Sequence, residues 1–171
     1  MSALPEIDTN FLMDFLARLL NTPSPTGLAE PAIALTAQTL KAFPALKLSH
    51  TRKGALLATW TGGWDDGPRA ITAHADTLGG MVKEIKANGR LKLSQVGSYA
   101  WNTIEGEGCT VFTRFGRSLR GSVLLTKASY HVFVAEVSEM KRGADNLEVR
   151  LDARTFSENE TIEWASASAT L

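Results

Sequence analysis

Cysteine and histidine are scarce in this chain, with one cysteine, Cys109, and three histidines among 171 residues. A single thiol excludes an internal disulfide framework and suits a reducing compartment. Cys109 lies in a short apolar run, where a small buried side chain is the ordinary role and a catalytic nucleophile the exceptional one. An excess of one charge is also missing, since Lys plus Arg and Asp plus Glu each number 18. A nucleic-acid surface or an anionic-membrane surface is therefore not indicated. No apolar stretch is long enough to span a bilayer. The opening MSALPEIDTN carries two acidic residues and lacks the basic flank and apolar core of a signal peptide. These absences point to a soluble, cytoplasmic protein with neither nucleic acid nor membrane as partner. The length suits one ordinary domain or two small ones.

What is present centres on Arg69 to Val82, RAITAHADTLGGMV. The apolar Ala70-Ile71-Thr72-Ala73 leads into His74-Ala75-Asp76, so Arg69 to His74 is expected as a buried strand. Period-two geometry places His74 and Asp76 on one side of an extended chain. An imidazole whose second nitrogen is held by a carboxylate is the usual form of a metal-binding histidine. Gly79-Gly80 then permits close backbone approach. The H-x-D pair alone is commonplace, and its interest comes from the strand before it and the glycine turn after it.

The flanking chain reads as an α/β segment followed by a β-rich one. Asp8 or Thr9 can cap a helix with Phe11, Leu12, Phe15, Leu16 and Leu19 at helical spacing, and Asn21 to Gly27, rich in proline, breaks it. A second helix is expected from about Ala29 to Ala42, with Pro31 in its first turn and Ile33, Ala37 and Leu40 buried. Strands are expected at Leu46 to Thr51 and Ala55 to Trp60, and Gly62 to Pro68 is a loop. Met81 to Lys86 and Leu91 to Val96 flank Ala87-Asn88-Gly89-Arg90, a strong hairpin signal. Further strands are expected at Cys109 to Thr113, Ser122 to Thr126 and Leu147 to Leu151, spaced as in a small β-barrel or sandwich. Ser157 to Glu163 can begin an acidic helix, after which the chain runs out in a low-complexity tail.

Several of these stretches together resemble one family. Leu19 to Gly27 is similar to the opening motif of the glutamyl/deblocking aminopeptidases, dinuclear-metal peptidases. Ala73 to Val82 resembles their A-H-x-D-x-x-G-x-M-V core, and Arg120-Gly121-Ser122-Val123 and Leu151-Asp152-Ala153-Arg154 fit later stations. The wording at Asp76 to Gly79, Lys127 to His131 and Leu151 to Arg154 is similar to the branch associated with the N-acetylglutaminylglutamine amide osmoprotectant system.

The resemblance implies an α/β fold: the N-terminal part of a zinc-peptidase-like catalytic domain (residues 1–80) with a small inserted all-β, barrel-like domain (81–155). An irregular tail (156–171) would stand where the catalytic domain should resume. It also implies two divalent metal ions, zinc or cobalt, a peptide substrate shortened from its N-terminus, and a homo-oligomer built through the inserted domain. By carry-over, His74 is a metal ligand and Asp76 the catalytic residue that orients it. The family's remaining ligands lie C-terminal to the inserted domain. The chain is therefore expected to be a C-terminally truncated peptidase, unable to hold its metals and inactive alone; the alternative is a non-catalytic association module. His50 is expected at a surface or interface, His131 in structure or assembly, and Glu105 with Glu107 in a solvated loop rather than a carboxylate pair.

Overall fold

The computed structural model describes residues 6–60, 62 and 67–166. Most of the loop expected at Gly62 to Pro68, the first five residues and the last five of the tail lie outside them. The chain divides into two units, Met1–Leu78 and Gly79–Leu171.

In the first unit, helix α1 spans Thr9–Leu20, with the Asp8 carboxylate accepting from the Phe11 N–H at 3.0 Å as its N-cap. Helix α2 spans Glu30–Leu40 with Pro31 in its first turn, where the missing N–H costs nothing. Of the residues expected to be buried on α2, Ile33, Ala37 and Leu40 are only half-buried, and Ala32 takes the covered position. Rings of Phe11 and Phe43 meet edge to face, 6.1 Å apart. Strands β1 (Leu46–His50) and β2 (Leu56–Trp60) form an antiparallel hairpin, Leu46 opposite Trp60 and His50 opposite Leu56.

One expectation fails here. Arg69 to His74 is not a buried strand: residues 68–76 pair with no strand, and Ile71 is 99% exposed. A strand exists only by giving its N–H and C=O groups to a neighbour. The segment therefore stays irregular despite an apolar sequence that suits a sheet.

The second unit is a five-stranded antiparallel sheet in the order β3-β4-β7-β6-β5. The strands are β3 (Gly79–Ile85), β4 (Leu91–Val96), β5 (Gly108–Phe112), β6 (Ser118–Leu125) and β7 (Leu147–Leu151). Burial alternates along β6, where Leu119, Val123 and Leu125 enter the core. They meet Leu91 from β4 and Leu147, Val149 and Leu151 from β7. Gly121 is needed in β6, because a Cβ there would stand 2.7 Å from the Arg150 carbonyl oxygen. The expected β3–β4 turn forms, with Gly89 at φ +77°. Glu148 is 1% exposed on β7 and is neutralised by Lys86 and Arg90 beside that turn, Arg90 at 2.5 Å.

Helices α3 (Tyr130–Phe133) and α4 (Ala135–Glu139) fill the connection from β6 to β7. The tail is not irregular throughout, since α5 runs from Glu158 to Ser166. Glu160 N–H donates to Ser157 Oγ (3.3 Å), and the Glu160 carboxylate accepts from Phe156 N–H (2.7 Å). That near-reciprocal cap starts the helix, and buried Thr161 anchors it by donating to the Gly89 carbonyl at 2.9 Å. Among the described residues no helix is long and apolar enough to cross a membrane.

Candidate functional site

The polypeptide brings two stretches of the first unit together, the proline-rich loop after α1 and the His74–Thr77 segment. Asn21 Nδ2 donates to the Ala17 carbonyl (2.7 Å) and the Thr22 hydroxyl to that of Arg18 (2.8 Å), closing α1 on its orphan acceptors. Pro23 and Pro25 stiffen the chain beyond. Gly27, at φ +96°, completes a turn in which Leu28 N–H donates to the Pro25 carbonyl at 2.7 Å. Alongside, Thr77 N–H donates to the Ser24 carbonyl at 2.8 Å, and Pro25 and Thr77 form an isolated parallel bridge.

This docking aligns three side chains. The Thr26 hydroxyl donates to Asp76 Oδ2 at 2.5 Å, while Asp76 Oδ1 lies 3.0 Å from His74 Nδ1. The Asp76 carbonyl oxygen is 3.2 Å from the same ring nitrogen. The His74 side chain is 84% exposed, so its opposite edge faces solvent. The Thr26 hydroxyl, more than His74, holds the Asp76 carboxyl below the usual carboxylate range, against a smaller upward push from desolvation. Asp76 is thus an anionic bridge between a fixed hydroxyl and an imidazole.

The remaining candidates each have surroundings of their own. His50 ends β1 and is exposed. His131 is on α3, its ring 6.4 Å from that of Tyr130. Burial raises the Cys109 thiol above its ordinary value, which suppresses the nucleophilic thiolate. Glu105 does not pair with Glu107; it takes a two-pronged ion pair from Arg142, Nε at 2.7 Å and the second nitrogen at 3.3 Å. That carboxylate raises the Arg142 pKa, and Arg142 also donates to the Val137 and Met140 carbonyls, so the pair fastens the end of α4.

Thr26 is the residue that sequence reasoning overlooked. Its loop reads in sequence as a helix breaker, yet a hydroxyl held between a proline and a positive-φ glycine is a fixed donor.

Comparison with known proteins decides the family. A profile of the M42 glutamyl aminopeptidases matches residues 54–167. This chain belongs to that family. YhfE of Bacillus subtilis (strain 168), named as an aminopeptidase, is 38% identical over 151 residues, which is 88% of this chain and 43% of YhfE. A TET aminopeptidase from the marine sediment archaeon Thaumarchaeota archaeon SCGC AB-539-E09 shares the fold at TM-score 0.78 and 18% identity, over 95% of this chain and 43% of its own. The Pyrococcus horikoshii TET1 peptidase, titled as assembling into a tetrahedron or a large octahedral shell, matches at TM-score 0.62 and 19% identity, over 89% and 43%. The chain therefore spans less than half the length of these relatives.

M42 peptidases are dinuclear-metal enzymes as a family, and the donors present can be weighed against that. Among the described residues no three or more His, Cys, Asp or Glu side chains converge as a metal site. A stable site of this kind takes three or more protein ligands. His74 with Asp76 offers one imidazole and its support, which does not fit a two-metal centre.

Proposed function

We propose that this chain carries the front part of a metal-dependent aminopeptidase of the M42 type, one that hydrolyses N-terminal residues from peptides. The observation that carries the reading is the His74–Asp76–Thr26 group. In it a carboxylate occupies Nδ1 of an exposed imidazole and leaves Nε2 outward, the arrangement of a metal-binding histidine. His74 is then one metal ligand and Asp76 the catalytic-site residue that orients it. The other ligands that two zinc or cobalt ions need are not among the described residues, so the chain alone is inactive. Residues 81–155 act as a domain inserted into the peptidase fold, and the single cysteine supports a cytoplasmic location. An osmoprotectant dipeptide amide as substrate rests on the wording of the motifs alone.

The test is a peptidase assay with zinc or cobalt on unblocked peptides. Purified chain should release no amino acids, whereas a chimera joining it to the remaining part of YhfE should release them and lose at least about a hundredfold on His74→Ala. Metal-dependent release by the chain alone overturns its inactivity, and a chimera indifferent to His74→Ala overturns the site.

A second reading, a non-catalytic association module, is favoured by the well-packed core of the second unit beside exposed Tyr130, Val132 and Phe112 on its surface. By analogy with the assembling TET1 peptidase, this unit would make the homo-oligomer. Sedimentation separates the cases: a strictly monomeric chain at all concentrations removes the module reading.

A further inference from the structure

We propose that Thr26 is a positioning residue for His74, acting through Asp76: its hydroxyl fixes the carboxylate so that His74 carries its proton on Nδ1 and keeps Nε2 as a free acceptor. The inference deepens the reading above, since it assigns the loop after α1 a part in the same site. It starts from the bonding capacity of each atom. The two oxygens nearest His74 Nδ1 are Asp76 Oδ1 at 3.0 Å and the Asp76 carbonyl at 3.2 Å. An ionised carboxylate and a backbone carbonyl only accept, so Nδ1 must be the donor. In the neutral ring the proton is then absent from Nε2.

The carboxylate does not hold this pose unaided. The terminal torsion of an aspartate is broad, and Asp76 is only partly covered. A second bond, Thr26 Oγ1 to Oδ2 at 2.5 Å, removes that freedom by claiming the oxygen that does not face the ring. Thr26 is itself held, by the Pro25–Leu28 turn on one side and the Ser24–Thr77 backbone bond on the other. Ser24 is buried beside it, which anchors the loop. The chain of constraint thus runs from a proline-stiffened loop, through a hydroxyl and a carboxylate, to the imidazole.

Nuclear magnetic resonance of the histidine ring nitrogens in the full, 15N-labelled chain tests this directly. The spectra are taken at mildly alkaline pH, and the ring-nitrogen signals report directly which nitrogen carries the proton. His74 should show Nδ1–H as its main tautomer. Thr26→Val, which keeps the shape and removes the hydroxyl, should lower the Nδ1–H to Nε2–H ratio about fivefold, the size of one hydrogen bond. Thr26→Ala should do the same and Thr26→Ser should restore the wild-type ratio, while unchanged His50 and His131 signals certify the fold. A wild-type His74 that is mainly Nε2–H overturns the proposal without any variant. So does a ratio that ignores the loss of the hydroxyl in both Thr26→Val and Thr26→Ala. Neither metal nor substrate enters the measurement, so it can fail while the chimera still depends on His74, and it can succeed while the chimera does not.

Discussion

Residues from Gly79 onward gather Leu91, Leu119, Val123, Leu125, Leu147, Val149 and Leu151 into one buried cluster, whereas the described residues up to Leu78 bury only Ala32 and Ser24. Apolar content does not explain the contrast. Helix α1 exposes Phe11, Leu12 and Leu16, β2 exposes Leu57 and Trp60, and Ile71 is bare. What differs is partnership. Five strands of the second unit pair side by side, β7 seated between β4 and β6, so side chains of one sheet face meet in a continuous cluster. The first unit has amphipathic elements without an opposing layer, and exposed apolar faces of that kind mark surfaces built to be covered.

The sharpest way to break the comparison is to delete the same side chain from both regions. Leu125→Ala should cost about 3 kcal/mol, because it leaves a cavity in a core that cannot fully collapse. Leu12→Ala, at a residue already 47% exposed on α1, should cost less than about 0.5 kcal/mol. Urea unfolding followed by circular dichroism reads both. Similar losses would mean that α1 is packed as firmly as β6.

The same contrast explains what could be read from the residues. Ala87-Asn88-Gly89-Arg90 signals a hairpin by local chemistry, and β3 with β4 and β5 with β6 are legible because each pair lies close in sequence. Arg69 to His74 has equally good strand chemistry and fails, since no local signal says whether a partner is present. The start of α5 was legible in Ser157-Glu158-Asn159-Glu160, although its run past Glu163 into the Ala/Ser tail was not. In the site, His74 and Asp76 are adjacent enough for the pair to be seen in advance. Thr26 is 50 positions from Asp76, and only the docking of two loops brings its hydroxyl there.

Glycine substitution gives a smaller contrast. Gly89 and Gly54 both sit at positive φ, +77° and +84°, where an added Cβ is strained. At Gly54, in the β1–β2 turn, that Cβ would meet nothing within 4 Å, so Gly54→Ala should cost about 1 kcal/mol. At Gly89 it would stand 2.7 Å from Thr161 Oγ1 and 2.9 Å from the Ser157 carbonyl oxygen, so Gly89→Ala should cost about 2 kcal/mol and loosen α5. Amide exchange across 158–166 should accelerate in Gly89→Ala and not in Gly54→Ala. Unchanged exchange in both would show that α5 does not depend on the hairpin turn.

The smallest effect expected is electrostatic and belongs to the second unit's surface. The Lys92 ammonium, bonded to Asp145 at 2.6 Å, holds the Asp145 carboxyl below its usual range, and Asp145 in turn raises Lys92. Folding therefore favours the charged form of both groups. The Asp145 contribution is complete above its ordinary pKa of ~3.9 and is lost as pH falls through the lower folded value. The Lys92 contribution is complete below ~10.4 and is lost as pH rises through the higher folded value. Asp145→Asn should accordingly flatten both limbs of the stability–pH curve slightly and lower neutral-pH stability by the same small amount, because Asp145 is 84% exposed and the pair is well screened. Adding salt to about 0.5 M should shrink the difference between wild type and variant. The Asp76 carboxyl is depressed mainly by the Thr26 hydroxyl rather than by an ammonium, so the same salt should leave the Thr26–Asp76 contact intact. Parallel acid limbs for wild type and Asp145→Asn would show that this pair contributes nothing to folding.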